Sequence, residues 1–241
     1  MTMTNPSDAP ILALNDIRAA YGEIEVLHGV TIEVSAGSVV ALLGPNGAGK
    51  TTVIGVASGL VPTTGGTVAM SGFDVTGVSA TEIARAGVCT IPEGRGVFPN
   101  LTVTENLRMA TYTGVSQAEV EERAYTRFPR LSERRTQLAG TMSGGEQQML
   151  AMARGLATDP AVLMLDELSM GLAPKIVGQL YEQVASIAAD GVSVLVVEQF
   201  ARSVLGVADH AVVMTQGLVR YTGPASELDE EMLATTYLGG P

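Results

Sequence analysis

The stretch GPNGAGKT, residues 44–51, decides the fold of this chain. It follows the apolar run "SVVALL" and leads into the helical pattern "TTVIGVASGL", the strand–loop–helix context that a phosphate-binding loop requires. The glycines free the backbone to curl, so that successive N–H groups point inward at phosphate oxygens. Lys50 adds a positive charge for the β- and γ-phosphates, and Thr51 offers a hydroxyl to Mg²⁺. The predicted nucleotide-binding residues here are Gly44, Pro45, Asn46, Gly47, Ala48, Gly49, Lys50, Thr51 and Thr52.

A pair of carboxylates follows a second apolar run, "AVLMLDE" at residues 161–167. Such a run predicts a buried strand, so Asp166 and Glu167 would stand at its end. In this interpretation Asp166 belongs to the shell of the Mg²⁺ ion, and Glu167 polarises a water for attack on the γ-phosphate. Acidic residues also occur at strand ends without any catalytic role, but the phosphate loop earlier in the chain favours the catalytic interpretation.

A second anion-binding pattern occurs at residues 141–155, "TMSGGEQQMLAMARG". Ser143 can cap the helix that follows, and Gly144 and Gly145 allow a ligand to approach the backbone N–H groups at the positive end of the helix dipole. Ser143 and Glu146 also have the spacing of a capping box, which is a purely structural motif. Both interpretations can hold together, because a well-capped helix is also a rigid anion site.

Composition limits the class of protein. The chain has 241 residues, 46% of them hydrophobic, which is enough for a full core in one domain or two small ones. The formal net charge of −11 argues against binding along a nucleic-acid backbone. Its one cysteine, Cys89, excludes an internal disulfide and fits a cytoplasmic setting. We find neither a signal-peptide pattern nor an apolar run long enough to span a membrane, so any link to a membrane should run through another protein.

The periodicity predicts an α/β fold with a parallel or mixed sheet. Continuous apolar runs such as "VVALLG" and "VSVLVV" indicate strands covered on both faces. The strand-like stretches are residues 11–20, 30–35, 38–43, 66–70, 87–91, 161–165 and 192–197. Residues from about 92 to 157 are more charged and mostly helical in pattern, and we interpret them as a helical subdomain. The tail, "GPASELDEEMLATTYLGGP", looks like a short closing helix.

Together, "GPNGAGKT", "MSGGEQ" and "AVLMLDE" resemble the motifs of the ATP-binding cassette (ABC) ATPases, and the resemblance covers essentially the whole chain. It implies a P-loop nucleoside-triphosphatase core of RecA type, an N-terminal antiparallel β portion and an inserted helical subdomain. The implied division is a flexible terminus at 1–10 and a single ATPase domain at 11–241, with a core of 11–91 plus 158–241. The implied cofactors are ATP and Mg²⁺.

In that family two nucleotide domains pack head to tail, and the signature motif of each covers the γ-phosphate held by the other. The resemblance therefore implies that Ser143, Gly144, Gly145 and Glu146 contact the nucleotide of a facing chain. It also implies that Tyr21 stacks on adenine.

Five positions depart from the family pattern. Glu93 stands where the family usually has a glutamine that touches Mg²⁺ or water, and Gln199 stands where it usually has a histidine contacting the γ-phosphate. An amide at position 199 can donate a hydrogen bond but cannot relay a proton. Glu146 replaces the usual signature glutamine, so Glu93 and Glu146 bring negative charge near phosphates unless Mg²⁺ or Arg95 compensates. Leu168 and Ala173 replace the usual proline and aspartate of the following loop.

Longer phrases narrow the resemblance. "IPEGRGVFPNLTVTENL", "DELSMGLAP" and "LVVEQ" are similar to one of the two ATPase subunits of bacterial branched-chain amino acid importers. That resemblance implies a second ATPase chain, in a heterodimer or a homodimer, and membrane permeases on the inner face of the cell membrane. A solute-binding protein would take part indirectly.

Three alternatives remain at this point. Importers of urea, short amides or other amino acids use similar ATPases, since nothing in such a chain contacts the solute. A cassette ATPase of translation or DNA repair would be linked to nucleic acid, but it would usually carry tandem cassettes or long inserts. A catalytically inactive subunit would fit the missing histidine, yet Lys50, Thr51, Asp166 and Glu167 are all present.

Overall fold

Two β-sheets organise the protein, which the computed structural model describes over residues 9–94 and 96–237. The strands are β1 Leu12–Tyr21, β2 Ile24–Val34, β3 Val39–Leu43, β4 Gly65–Met70, β5 Phe73–Asp74, β6 Val88–Ile91, β7 Val162–Asp166, β8 Ser193–Glu198, β9 His210–Thr215 and β10 Leu218–Pro224. The helices are α1 Lys50–Ala57, α2 Ala80–Arg85, α3 Val103–Arg108, α4 Gln117–Arg127, α5 Pro129–Ser132, α6 Gly144–Leu156, α7 Pro174–Ala189, α8 Ala201–Val204 and α9 Glu230–Tyr237. Arg95 and most of the predicted terminal segment at 1–10 lie outside the described residues.

The larger sheet has six strands in the order β10-β9-β3-β8-β7-β6. Neighbours from β9 to β6 are parallel, and only β10 runs antiparallel at one edge. Every residue of β3, β7 and β8 is buried. The continuous apolar runs therefore are strands covered on both faces, and the predicted α/β fold with a mixed sheet is confirmed.

Two apolar cores cover the faces of this sheet, and alternate residues of one strand enter each of them. Val40 and Leu42 of β3 pack in the core that contains α1 and β1. Val39, Ala41 and Leu43 pack in the core that contains α3, α6 and α7. Successive side chains of a strand point to opposite faces, so β3 packs against both cores. This packing holds the C-terminal end of β3 rigidly.

The smaller sheet is entirely antiparallel, in the order β2-β1-β4-β5. It confirms the predicted N-terminal antiparallel β portion. Its inward side chains, among them Leu12, Leu14 and Ile17, lie in the same core as α1. Helix α1 is therefore packed between the two sheets, which fixes the start of the helix relative to the end of β3.

Short helices, not one long one, fill residues 92–157. Helices α3, α4 and α6 begin at capping residues Thr102, Ser116 and Ser143, whose side chains accept a hydrogen bond from the third residue of each helix. Buried Leu150 and Met152 of α6 share a core with β7 and β8. Residues 92–157 as a separate subdomain stay a prediction, because their apolar side chains join the same core.

The structure differs from the sequence prediction at four strands. Strand β2 begins at Ile24, six residues before the predicted start at 30, since its first residues are exposed or half-buried and lack a clear alternation. Strands β5, β9 and β10 were not predicted, and β5 has only two residues, Phe73 and Asp74. The apolar run of β9 is too short to distinguish a strand from a buried helix, and β10 is interrupted by polar residues and a terminal proline.

Among the described residues, no helix combines the length and apolar character that a membrane span requires.

Candidate functional site

The phosphate loop and the predicted residues Asp166, Glu167 and Gln199 lie along one edge of the six-stranded sheet. Strands β3, β7 and β8 are parallel, with Leu43 opposite Glu198 and Asp166 opposite Val197. The carboxyl ends of parallel strands share an edge, so the loop after β3 lies beside Asp166, Glu167 and Gln199. The sheet therefore brings together motifs that are separated by more than 100 residues in the sequence.

The loop at 44–49 keeps the start of α1 open to a ligand. Helix α1 begins at Lys50, and its N-cap residue Gly49 has φ 99° and supplies no side-chain hydrogen bond. A Cβ atom at Gly49 would lie 2.8 Å from the side chain of Leu27, and one at Gly44 would lie 2.3 Å from the carbonyl oxygen of Met214. Only glycine fits these two positions. The free N–H groups at the start of α1 are therefore available to an anion.

Lys50 is buried and lies across this loop. Its Nζ donates hydrogen bonds to the carbonyl oxygens of Gly44 (2.8 Å) and Pro45 (3.2 Å). It also lies 3.7 Å from Oε1 of Glu167. The ammonium group is thus positioned between the loop and the carboxylate, where it can contact a bound phosphate. The side chain of the next-but-one residue, Thr52, is buried, so only its backbone N–H remains for a ligand at this helix start.

Asp166, at the end of β7, is 5% exposed, and its Oδ1 atom has no hydrogen-bond partner among the described residues. Burial, together with the charges of Glu167 and Glu93, raises the pKa of this carboxyl to about 6. Lys50 and a hydrogen bond from Thr51 act in the opposite direction. A buried carboxylate oxygen without a partner, next to a threonine hydroxyl, is a donor set suited to a hard cation such as Mg²⁺.

The buried carboxyl of Asp166 should make stability depend on pH. Its pKa is raised from 3.8 to about 6, so its stabilising contribution is full below about pH 4 and is lost as the pH rises through about 6. Asp166→Asn removes this titration. We expect the variant to gain stability relative to the wild type between about pH 4 and pH 7 in nucleotide-free protein. Urea unfolding at several pH values measures this, and a difference that does not change with pH would contradict it.

Glu167 adopts a backbone conformation that is unusual for a residue with a side chain. Its φ is 49°, in the left-handed region, and its N–H donates to the carbonyl oxygen of Val197 (2.9 Å). Such a conformation costs about 1–3 kcal/mol and persists where the surrounding structure enforces it. The result is a carboxylate turned toward Lys50 and largely shielded from water.

The other predicted contacts lie at the margins of this site. Glu93 is exposed, two residues beyond β6, and near enough to Asp166 for its charge to act on that carboxyl. Gln199 follows β8, and its carbonyl oxygen accepts a hydrogen bond from the hydroxyl of Tyr237 (3.2 Å). Tyr21 is the last residue of β1 and is 55% exposed. The adjoining strand β2 lies against the loop through Leu27.

The segment Ser143–Glu146 forms a complete capping box at the start of α6. Ser143 N donates to Oε2 of Glu146 (3.0 Å), and Ser143 Oγ is 2.7 Å from the same oxygen. Gly145 is buried, and a Cβ there would lie 2.4 Å from the side chain of Ile176. Packing against α7 therefore requires this glycine, a role that the sequence did not reveal.

The sequence also gave no sign of a buried network around Glu198, which is 1% exposed. Its carboxylate accepts hydrogen bonds from the N–H of Ser169 (2.9 Å), the hydroxyl of Ser169 (2.8 Å) and the hydroxyl of Tyr181 (2.6 Å). Burial raises the pKa of Glu198 above its ordinary value, although these hydrogen bonds act in the opposite direction. The network connects the loop after Glu167 to the residue before Gln199. The local sequence "LVVEQF" does not predict this network, because the hydrogen-bond partners of Glu198 come from other segments.

Removing one donor from this network should destabilise the protein. We expect Tyr181→Phe to lower the free energy of unfolding by about 1–3 kcal/mol, because a buried carboxylate oxygen loses its shortest hydrogen bond. Tyr112→Phe is the matched control, since Tyr112 is 76% exposed. Urea unfolding of both variants tests this. Equal stability of the two variants would show that Tyr181 does not stabilise the buried carboxylate.

A separate cavity of about 1020 Å³ lies outside the phosphate loop. It is lined by α2, β6 and the residues around α3 and α6, among them Cys89, Phe98, Met109, Tyr112 and Arg154. Phe98, Met109 and Tyr112 are exposed apolar side chains, and the guanidinium of Arg154 lies over the Phe98 ring at 5.0 Å.

A glycine-rich loop at the start of a helix, a buried lysine and two carboxylates at the ends of parallel strands define a P-loop ATPase. The chain belongs to the ABC transporter family, whose profile matches residues 27–169. Family membership makes it a nucleotide-binding ATPase subunit, and such subunits work with membrane permeases.

Named relatives place it within that family. The chain is 41% identical, over 95% of its length and 100% of the relative, to the high-affinity branched-chain amino acid transport ATP-binding protein BraG of Pseudomonas aeruginosa. It is 37% identical to the probable branched-chain amino acid transport ATP-binding protein LivF of Archaeoglobus fulgidus, over 89% and 92% of the two chains. The identity to BraF of P. aeruginosa is 32%. The chain is therefore similar to ABC ATPases of LivF type.

A solved structure agrees with the fold. The ADP conformation of MJ1267, an ATP-binding cassette of an ABC transporter, superposes with a TM-score of 0.82 at 27% identity, covering 95% of this chain and 94% of the other.

Proposed function

We propose that this chain hydrolyses ATP to power the import of branched-chain amino acids through a membrane permease. One observation supports the proposal most strongly. The chain aligns with the whole of BraG, and its phosphate loop lies beside the carboxylates of Asp166 and Glu167. The nearest alternatives are a related importer of urea or short amides and one of other amino acids. Both would use the same ATPase chemistry, so the solute is decided by experiment.

The phosphates of ATP are proposed to bind the N–H groups of the loop at 44–49 and the Nζ of Lys50, with Tyr21 against adenine. Thr51 and Asp166 are the proposed Mg²⁺ ligands, with Glu93 as a third oxygen donor. The unpartnered Oδ1 of Asp166 supports this assignment, since Mg²⁺ prefers a few protein oxygens together with phosphates and water. When bound, the ion neutralises charge on the phosphates.

Glu167 is the proposed general base. As a water oxygen attacks the γ-phosphorus, its proton passes to the Glu167 carboxylate, and the bond to the leaving ADP oxygen breaks. Nζ of Lys50 lies 3.7 Å from Oε1 of Glu167, so the ammonium group and the proposed base lie side by side where the γ-phosphate would bind. The Gln199 amide is proposed to donate a hydrogen bond to the γ-phosphate, and it has no proton to relay.

The segment Ser143–Glu146 is proposed to cover a nucleotide bound to a second ATPase chain. This segment begins α6 of the helical region, and the loop at 44–49 begins α1 on the sheet. Each chain thus carries two separate helix starts that suit anions. We propose a mixed dimer in the assembled importer, and a homodimer for the isolated chain.

The cavity beside α2 and α6 is the proposed docking site for the permease. Phe98, Met109 and Tyr112 give it exposed apolar side chains, and the Glu93 turn adjoins it through β6. An amphipathic helix of a partner can bury its apolar face in such a groove. This contact would hold the ATPase against the inner face of the membrane.

The test is transport by the reconstituted complex of this chain, its second ATPase, the permeases and the solute-binding protein. ATP-dependent uptake of labelled leucine into proteoliposomes, absent with Glu167→Gln, is the expected result. Uptake of urea or acetamide without leucine would move the assignment to a sister importer. Co-purification with ribosomes, without uptake of any of these solutes, would overturn the proposal.

A further inference from the structure

Glu146 presents an electrostatic problem that the proposed function does not solve. It stands in the first turn of α6, at the helix start that is proposed to meet the γ-phosphate of a facing chain. A carboxylate and a γ-phosphate repel each other at close range. The capping box accounts for the local structure of Glu146, but it leaves the charge uncompensated.

The structure places a cation against this carboxylate. Nε of Arg134 lies 3.1 Å from Oε1 of Glu146, while Oε2 takes both contacts from Ser143. The carboxylate is therefore held from two sides, by Arg134 in the turn after α5 and by Ser143 at the helix start. Glu146 is mostly buried at this position, and Arg134 is partly exposed.

The pair is charged under ordinary conditions. Burial raises the pKa of Glu146, but the hydrogen bonds from Ser143 and the charges of Arg134 and Arg130 outweigh it, so the pKa lies below its usual range. Glu133 also contacts Arg134, at 3.3 Å, but its side chain is largely exposed and its charge is screened by water. The positive charge next to Glu146 therefore comes from Arg134 and Arg130.

The Ser143 hydroxyl also depends on this arrangement. At 2.7 Å, Ser143 Oγ donates its one hydrogen to Oε2 of Glu146. To donate to a phosphate oxygen instead, the hydroxyl must turn away from Glu146. The carboxylate then keeps its Arg134 partner on the other oxygen, so it is not left buried without a counter-ion.

We propose that Arg134 is a positioning residue of the signature segment, which neutralises Glu146 and holds it so that Ser143 and the α6 N–H groups can receive the γ-phosphate of a facing ATPase chain. This inference rests on the proposed function, because it needs a nucleotide presented by a second chain. Arg134 acts through Glu146 and does not itself touch the phosphate.

The test is steady-state ATP hydrolysis by the assembled transporter, which contains whichever ATPase faces Ser143. Arg134→Gln should raise KM for ATP about tenfold and change kcat by less than about twofold, because an uncompensated carboxylate weakens nucleotide capture. The increase should shrink at high salt, where charge repulsion is screened. Arg134→Lys keeps the charge and should recover most of the wild-type KM.

Two further variants separate charge from folding. In an E146Q background the repelling carboxylate is gone, so R134Q should raise KM by less than about twofold there. R123Q is the control: Arg123 forms an exposed ion pair with Glu119 (2.6 Å) within α4, and its loss should leave KM unchanged.

An equal rise of KM in the Glu146 and E146Q backgrounds, or a rise that salt does not reduce, would overturn the inference. A wild-type KM for R134Q would overturn it as well. Failure of the proposed function would give a different result. The unaltered transporter would then not hydrolyse ATP, or Ser143→Ala would leave the KM for ATP unchanged.

Discussion

Lys50→Ala is expected to abolish nucleotide binding, with a loss of affinity of at least about 100-fold. The ammonium group of Lys50 is buried, bonded to two loop carbonyls and close to Glu167. It is the cation that the structure places inside the phosphate loop, and its removal leaves the carboxylate of Glu167 facing the phosphates. Titration with a fluorescent ATP analogue measures the effect.

Lys175→Ala is the control for this experiment. Lys175 is the only other lysine in the sequence, and it is exposed in the first turn of α7. Its replacement should leave nucleotide binding unchanged. If Lys50→Ala bound the analogue as well as the control did, the phosphate loop would not be the nucleotide site.

Glu167→Gln is expected to separate binding from hydrolysis. Glutamine has nearly the same shape but cannot accept the proton of the attacking water, so turnover should fall by about 10²–10⁴-fold. ATP binding should persist, since Lys50 and the loop are unchanged. Single-turnover hydrolysis and analogue titration together measure both effects. Glu182→Gln, an exposed glutamate of α7, is the matched control and should hydrolyse ATP normally.

The same variant reports on the second chain. If ATP joins two copies, the Glu167→Gln protein should double its molar mass in light scattering when Mg-ATP is added. No doubling, with ATP binding confirmed separately, would mean that Ser143–Gly145 requires a different ATPase. Wild-type turnover by Glu167→Gln would remove Glu167 as the base.

Local sequence was sufficient wherever a feature depends on neighbouring residues. The phosphate loop, the apolar strands β3, β7 and β8, and the capping box of α6 were all predicted. Loop curvature, strand burial and helix capping are each set within a few consecutive residues. For the same reason β9 was missed, because its short apolar run carries too little local pattern.

The sequence by itself determined the P-loop fold class, the phosphate loop and the strand-end carboxylates. Each of these features depends on the backbone preferences and the apolar periodicity of a few consecutive residues, so the local sequence is enough to predict it. The tertiary structure alone decided which side chains meet across the chain. Glu198 accepts hydrogen bonds from Ser169 and Tyr181, which belong to two other segments. Arg134 forms an ion pair with Glu146 at the start of the next long helix, α6. Gly145 is required by a side chain on another helix, Ile176. These contacts depend on how strands and helices pack, and packing is a property of the whole core.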